Sequence, residues 1–360
     1  MSIYQQLGLK TLINADGKMT ALGGSAVAPP VADAMAQAVG QFVVMDDLLH
    51  HTGGVIAKHT GAQAGCPTIG AAAGIVISTA AVIAGQGLAR IQSIPFHNID
   101  KCEIVIQKGH IVDFGGNVDQ MIRMGGGKVV EVGLANSTLT EHVTGAINVN
   151  TAALMFIKSH HTMQKGMLSL EAFIAIGKAH NLPVIVDAAA EEDLHKYIAL
   201  GADLVIYSGG KALNGPTSGF ICGSEPFINA CKAQYRGVGR AMKVSKEAMV
   251  GLITALELYD PSQAPTYQAD MQILAEQFTH MGIPASVVKD EVRDFYRVRL
   301  DFATHERAEY INNALRSGDT AIYLRPYYIN QGLLFIDPRG LVDGQADTIR
   351  ERIGELVSQS

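Results

Sequence analysis

The chain has 360 residues, 48% of them hydrophobic and 17% charged, and a formal net charge of −6 at pH 7. That composition belongs to a globular protein with room for a large domain and a smaller one, and it excludes a disordered chain. The acidic balance argues against nucleic acid as a partner, because broad phosphate binding needs a basic face, but it leaves room for a local basic pocket holding a small anion. Cys66, Cys102, Cys222 and Cys231 have no C-x-x-C spacing and read as free thiols of a reducing, cytoplasmic compartment. The N-terminal stretch lacks the long apolar run of a signal peptide.

In chain order, the first strong signal is the uncharged segment 69–85 (IGAAAGIVISTAAVIAG). It falls short of the roughly 20 strongly apolar residues of a membrane span and is dominated by Ala and Gly. It therefore predicts a helix lying close against a sheet, with no membrane partner. Apolar runs follow at 103–107, 128–132, 153–158, 183–187, 203–207 and 219–222. Most are continuous rather than alternating, as in strands buried on both faces of a mostly parallel sheet. Between them, residues 169–180 (SLEAFIAIGKAH) read as a helix capped by Ser169 and stopped by Asn181-Leu182-Pro183. Strand and helix in alternation predict an α/β layered domain with right-handed crossovers. Residues 248–259 form a long predicted helix, broken by Pro261 and Pro265. Short runs at 286–289, 296–300, 321–324 and 332–336 then suggest a smaller α+β domain. The expected organisation is an N-terminal segment over 1–45 that serves the small domain and a subunit interface, a large domain over 46–259 and a small one over 260–360.

The residues that carry chemistry begin with a pair. Asp187 ends the run PVIVD, and Lys211 follows the run DLVIY in Ser208-Gly209-Gly210-Lys211. One helix and one strand separate them, so both emerge at the carboxyl edge of the sheet, where open α/β sheets bind ligands. A lysine amine can hold the aldehyde of pyridoxal 5'-phosphate (PLP), and an acidic partner keeps the cofactor's ring nitrogen protonated. Ser208 and the two glycines suit the close approach of a phosphate. Gly65-Cys66-Pro67-Thr68-Ile69-Gly70-Ala71 opens the Ala-rich helix, and a helix start with small residues is an anion site, so Thr68, Gly70 and Ala71 are assigned to the cofactor phosphate. His110 follows a strand and either stacks on the cofactor ring or is satisfied by backbone. His160 and His161 also follow a strand and are candidate catalytic groups. His50 and His51 have helical metal-ligand spacing to Asp46 and Asp47, but no third ligand motif accompanies them. Arg236, Arg240 and Lys243 are either a solvated helix start or a clamp for a substrate phosphate.

The order of these features, a helix-start glycine loop, a post-strand His, a strand-end Asp and then S-x-x-K, resembles fold-type-I PLP enzymes of the aspartate-aminotransferase-like fold. Within them it is most similar to the bacterial selenocysteine synthase (SelA-like) group. The resemblance runs over most of the chain. It is carried by Leu12-Ile13-Asn14-Ala15, the stretch 108–116 (KGHIVDFGG), Val130-Glu131-Val132-Gly133, the stretch 182–187 (LPVIVD), the stretch 207–219 (YSGGKALNGPTSG) and Arg240-Ala241-Met242-Lys243. Inside that group the pattern is nearest to ammonia-lyases acting on D-glucosaminate 6-phosphate. The sequence departs from true selenocysteine synthases by starting without their tRNA-binding extension, by its acidic balance, and by Pro67-Thr68-Ile69-Gly70 where they carry an asparagine-rich run. The resemblance implies a homo-oligomer in which residues 14–25 reach a neighbouring site. It also implies PLP on Lys211 and loss of ammonia and water from a phosphorylated 2-amino-3-hydroxy sugar acid. Arg325 and Arg339 are implied as holders of the substrate carboxylate. An L-seryl-tRNA(Sec) selenium transferase and a PLP-free metal-binding protein built on the histidines are the alternatives.

Overall fold

The computed structural model describes residues 2–96, 99–159, 161–263, 265–290 and 294–358. The chain divides into two compact units, one of residues 26–261 and one of residues 1–25 with 262–360. The N-terminal division thus falls at residue 25 and not at 45, because the helix Pro29–Val39 packs on the helix Lys246–Leu258 of the larger unit. Strands are numbered in chain order, beginning with β1 (Leu12–Ala15).

The larger unit holds β2 (Ala64–Thr68), β3 (Glu103–Gln107), β4 (Lys128–Val132), β5 (Thr151–Ile157), β6 (Val184–Asp187), β7 (Leu204–Ser208) and β8 (Gly219–Gly223). They form one sheet in the order β2-β8-β7-β6-β5-β3-β4, in which β8 runs antiparallel to both neighbours and the remaining pairs are parallel. β3, β5, β6 and β8 are buried along their whole length, which is why their sequences are continuous apolar runs. β2 was not legible as a strand. It contains Pro67, which can donate no ladder hydrogen bond, and β2 lies at the sheet edge, where such a residue is tolerated.

Side-chain alternation separates two cores. Ile104, Ile106, Ile157, Ile185 and Ile206 face the Ala-rich helix Ala71–Ala84, whereas Val105, Phe156, Val184, Val186 and Val205 pack with Phe173 and Leu252 on the opposite face. The Ala-rich helix buries Ile75, Val76, Ile77 and Ile83, each worth about 1.5–3 kcal/mol. It lies close on the sheet because Gly74 is small: a Cβ there would sit 2.6 Å from Ile206 Cγ2. No helix among the described residues is long and apolar enough to cross a membrane. Ser169 caps the helix Leu170–Ala179 by accepting from the Ala172 N–H at 3.2 Å.

The smaller unit contains β9 (Ala285–Lys289), β10 (Tyr296–Asp301), β11 (Ala321–Leu324) and β12 (Leu333–Ile336). β1 pairs parallel with β11, and β12-β10-β9 form an antiparallel sheet. The helices Gln268–His280, His305–Ser317 and Gln345–Ser358 cover them through Phe278, Ile311, Ile349 and Ile353.

Candidate active site

Four strand ends of the larger unit bring the sequence-derived residues to one sheet edge. Thr68 and Ser208 both stand opposite Gly219, and Asp187 stands opposite Ile206, next to the end of β7. Alternation also gives them one face. Cys66, Ile185 and Ile206 belong to the core under the Ala-rich helix, so Thr68, Asp187 and Ser208, each two residues on, share that face.

Asp187 is buried, with 6% of its surface exposed, and its Oδ1 accepts from the Ala189 N–H at 3.1 Å. Burial pushes its carboxyl up to about 6, against the pull of the Lys211 charge and the Ala189 N–H. A carboxylate so opposed by burial suits a cationic partner. Lys211 is half-buried in a loop closed by Gly209 N–H to Ser218 O (2.8 Å) and Gly215 N–H to Gly209 O (2.8 Å). Its charge reaches Asp187.

The helix start at Gly70 and Ala71 faces Gly219, where a Cβ would come within 2.8 Å of Gly70 C and 3.0 Å of Ala71 N. A side chain at 219 would fill the space beside these amides, and the sequence reading assigned no role to that glycine. The fully buried Thr68 hydroxyl donates to Gly70 O at 2.9 Å, so its proton is committed to shaping the turn. Donors there are the helix amides and Ser208. A helix N-terminus, a cleared glycine, a serine, a lysine and a buried aspartate together fit a phosphorylated pyridine aldehyde.

His110 is 2% exposed. Its Nδ1 accepts from the Ile157 N–H at 3.2 Å, which leaves the proton on Nε2, and its ring meets Phe156 edge-on at 4.5 Å. Burial, helped by the charge of Lys158, pushes it down to about 4, so the ring is neutral at neutral pH. Of the two sequence alternatives, the backbone-satisfied state is the one observed. His161 is exposed, with its N–H donated to Ser159 Oγ at 3.2 Å, and His160 lies outside the described residues. Arg236, Arg240 and Lys243 lie on and beside two short 3-10 turns, and all three are exposed.

In the smaller unit, Arg325 and Arg339 belong to a buried cluster that the sequence did not reveal. Asp337 is fully buried and accepts from Arg339 Nε (3.0 Å) and Nη2 (2.8 Å) and from Arg297 Nε (2.9 Å). Arg297 Nη1 also lies 2.6 Å from Asp290 Oδ2. Burial alone would raise the Asp337 carboxyl, but Arg339 and Arg297 outweigh it and hold the group below the usual carboxylate range. Arg339 is thus engaged in a two-point pair. Arg325 stands 4.0 Å from Asp337, donates to Asp16 O at 3.0 Å and lies over the Tyr327 ring at 4.1 Å.

The chain is similar to known proteins over its full length. The chain is 46% identical over 364 residues to the D-glucosaminate-6-phosphate ammonia lyase of Salmonella typhimurium, covering 100% of this chain and 99% of that one. It is 39% identical over 371 residues to a 5'-C-glycyluridine monooxygenase-decarboxylase of a Streptomyces species, covering 98% and 92%. A solved D-glucosaminate-6-phosphate ammonia-lyase structure superposes with a TM-score of 0.94 at 45% identity, covering 100% and 99%. The fold alone extends to an aspartate aminotransferase of Thermus thermophilus, with a TM-score of 0.53 at 16% identity, covering 98% and 93%. Residues 12–312 match the family profile described as L-seryl-tRNA selenium transferase. The chain belongs to the SelA family and has the aspartate-aminotransferase-like fold of type-I PLP enzymes.

Proposed function

We propose that the protein is a PLP-dependent ammonia-lyase that removes water and ammonia from D-glucosaminate 6-phosphate and yields 2-keto-3-deoxygluconate 6-phosphate. The observation that carries the chemistry is the buried Asp187 beside Lys211 at the carboxyl edge of the sheet. The full-length similarity to a lyase of that name supports the substrate. The same similarity disfavours the selenium-transferase alternative.

Lys211 supplies the amine that holds the cofactor. Asp187 holds the proton on the cofactor's ring nitrogen, and a cation against it would return its carboxyl toward ionisation. The helix amides at Gly70 and Ala71, with Ser208, bind the phosphate, Thr68 holds their turn, and the neutral His110, fixed by the Ile157 N–H, is proposed beside the cofactor ring. Bound PLP supplies an electron sink for the charge left at substrate C2. Lys211 Nζ, freed when the substrate amine takes its place, accepts the C2 proton, the C3–O bond breaks, and the hydroxyl leaves as water after gaining a proton. Hydrolysis of the released C2=C3 amine gives the ketone and ammonia. His160 and His161 are the candidates for proton delivery to the departing hydroxyl. Arg236, Arg240 and Lys243 are proposed for the substrate phosphate. Arg325 is proposed for the substrate carboxylate ahead of Arg339, which Asp337 already engages. A homo-oligomer is proposed as well, supported by the apolar Phe42, Val43 and Val44 exposed on the larger unit.

The test is incubation of the PLP-loaded protein with D-glucosaminate 6-phosphate, following ammonia and 2-keto acid. Equal amounts of both support the reading. Oxygen uptake with carbon dioxide release and no ammonia would instead place the activity with the monooxygenase-decarboxylase relative.

A further inference from the structure

The larger unit has a cavity of about 290 Å³ on the sheet face opposite to the one that carries Asp187. Its floor is apolar, with Phe156, Leu170 and Leu200, and its rim carries Lys158, Lys196 and Glu171. Lys158 follows Ile157, which belongs to the core under the Ala-rich helix, so alternation directs Lys158 to the other side, with Phe156. Both lysines act electrostatically on Glu171, whose carboxylate is held chiefly by its own backbone N–H and by Ser169. The rim therefore keeps a net positive charge over an apolar floor, in a cavity near the lower end of the size range for small-molecule sites.

The wall of the cavity is tied to the cofactor edge by backbone. The Lys158 N–H donates to Asp187 O at 2.8 Å, and the Ile157 N–H donates to Nδ1 of His110, itself part of the cavity lining, at 3.2 Å. The cavity also lies where the strand order reverses, since β3 leads outward to β4 while β5 starts the run through β6 and β7. Crevices at such points are the usual ligand positions of open α/β sheets.

We infer that this cavity is a second small-molecule site, for an organic anion of the size of a sugar acid, with Lys158 and Lys196 binding the anionic group. The carbon body lies on Phe156, Leu170 and Leu200. An occupant that shifts Lys158 is felt at Asp187 and His110 through the two backbone hydrogen bonds.

The experiment is calorimetric titration of the PLP-loaded protein with gluconate 6-phosphate, for the wild type, for Lys158→Gln with Lys196→Gln, and for Leu200→Trp, which fills the floor and keeps both lysines. The double variant should weaken one binding event at least tenfold, and Leu200→Trp should remove the same event, with kcat/KM for ammonia release within twofold of wild type. If the proposed lyase reaction is wrong, the wild type shows this event alone, and the variants still abolish it. Titration of the double variant identical to wild type would overturn the inference. So would a loss of binding matched by an equal loss of kcat/KM, because the cavity would then be part of the reaction site.

Discussion

Replacing Asp187 by asparagine should make the cofactor-free protein more stable while disabling it. The carboxyl titrates near 6 rather than at its ordinary 3.8, because burial opposes the charge more than Lys211 and the Ala189 N–H favour it. A raised folded pKa contributes stability below the unfolded value, and that stability is lost as pH rises through the folded one. The interval from 3.8 to about 6 corresponds to about 3 kcal/mol at neutral pH, since each pH unit is worth about 1.4 kcal/mol. For a unit of this size, that is on the order of 6–12 °C in melting temperature. The amide of the substituted side chain carries no such titration. The melting difference between Asp187→Asn and wild type should therefore open between pH 4 and pH 6, favour the variant, and stay level above. The assay is differential scanning calorimetry of both cofactor-free proteins across that range. Parallel melting curves from pH 4 to pH 8 would refute the claim that Asp187 is a buried carboxylate whose ionisation destabilises the fold. With PLP present the order should reverse in function, as the variant holds the cofactor weakly and turns over poorly.

Three further outcomes are expected. Lys211→Ala should lower ammonia release by at least about a thousandfold, because it removes both the cofactor anchor and the base at C2, and near-wild-type turnover would end the proposal. Gly219→Ala should weaken PLP binding at least tenfold and cost about 1–3 kcal/mol, since the new methyl meets backbone at 2.8 Å; cofactor release by dialysis and thermal melting measure the two effects. Asp337→Asn should destabilise the protein by about 3–5 kcal/mol by leaving buried arginines unpaired. The Asp337 carboxyl is held low, so its contribution is present above the unfolded pKa and fades as pH falls through the folded one. Urea unfolding of wild type and variant should therefore converge at acid pH.

What local sequence determined was everything that depends on side-chain period and chain order. The continuous apolar runs identified β3, β5, β6 and β8, because strands buried on both faces carry apolar residues at consecutive positions, with polar ones or glycine only at their ends. The spacing of Asp187 and Lys211 placed them at one sheet edge, because successive parallel strands separated by a helix end on the same side. Tertiary structure decided what depends on partners distant in sequence. β2 became a strand only through β8, with Thr68 paired to Gly219. Gly219 matters because the Ala-rich helix starts against it, and Arg339 is drawn to a buried Asp337 that also holds Arg297 from another strand. The cost of ionising Asp187 and the charged rim of the second cavity belong to this class as well. Burial and electrostatic fields are set by the groups that folding brings together, and no local pattern in the chain encodes them.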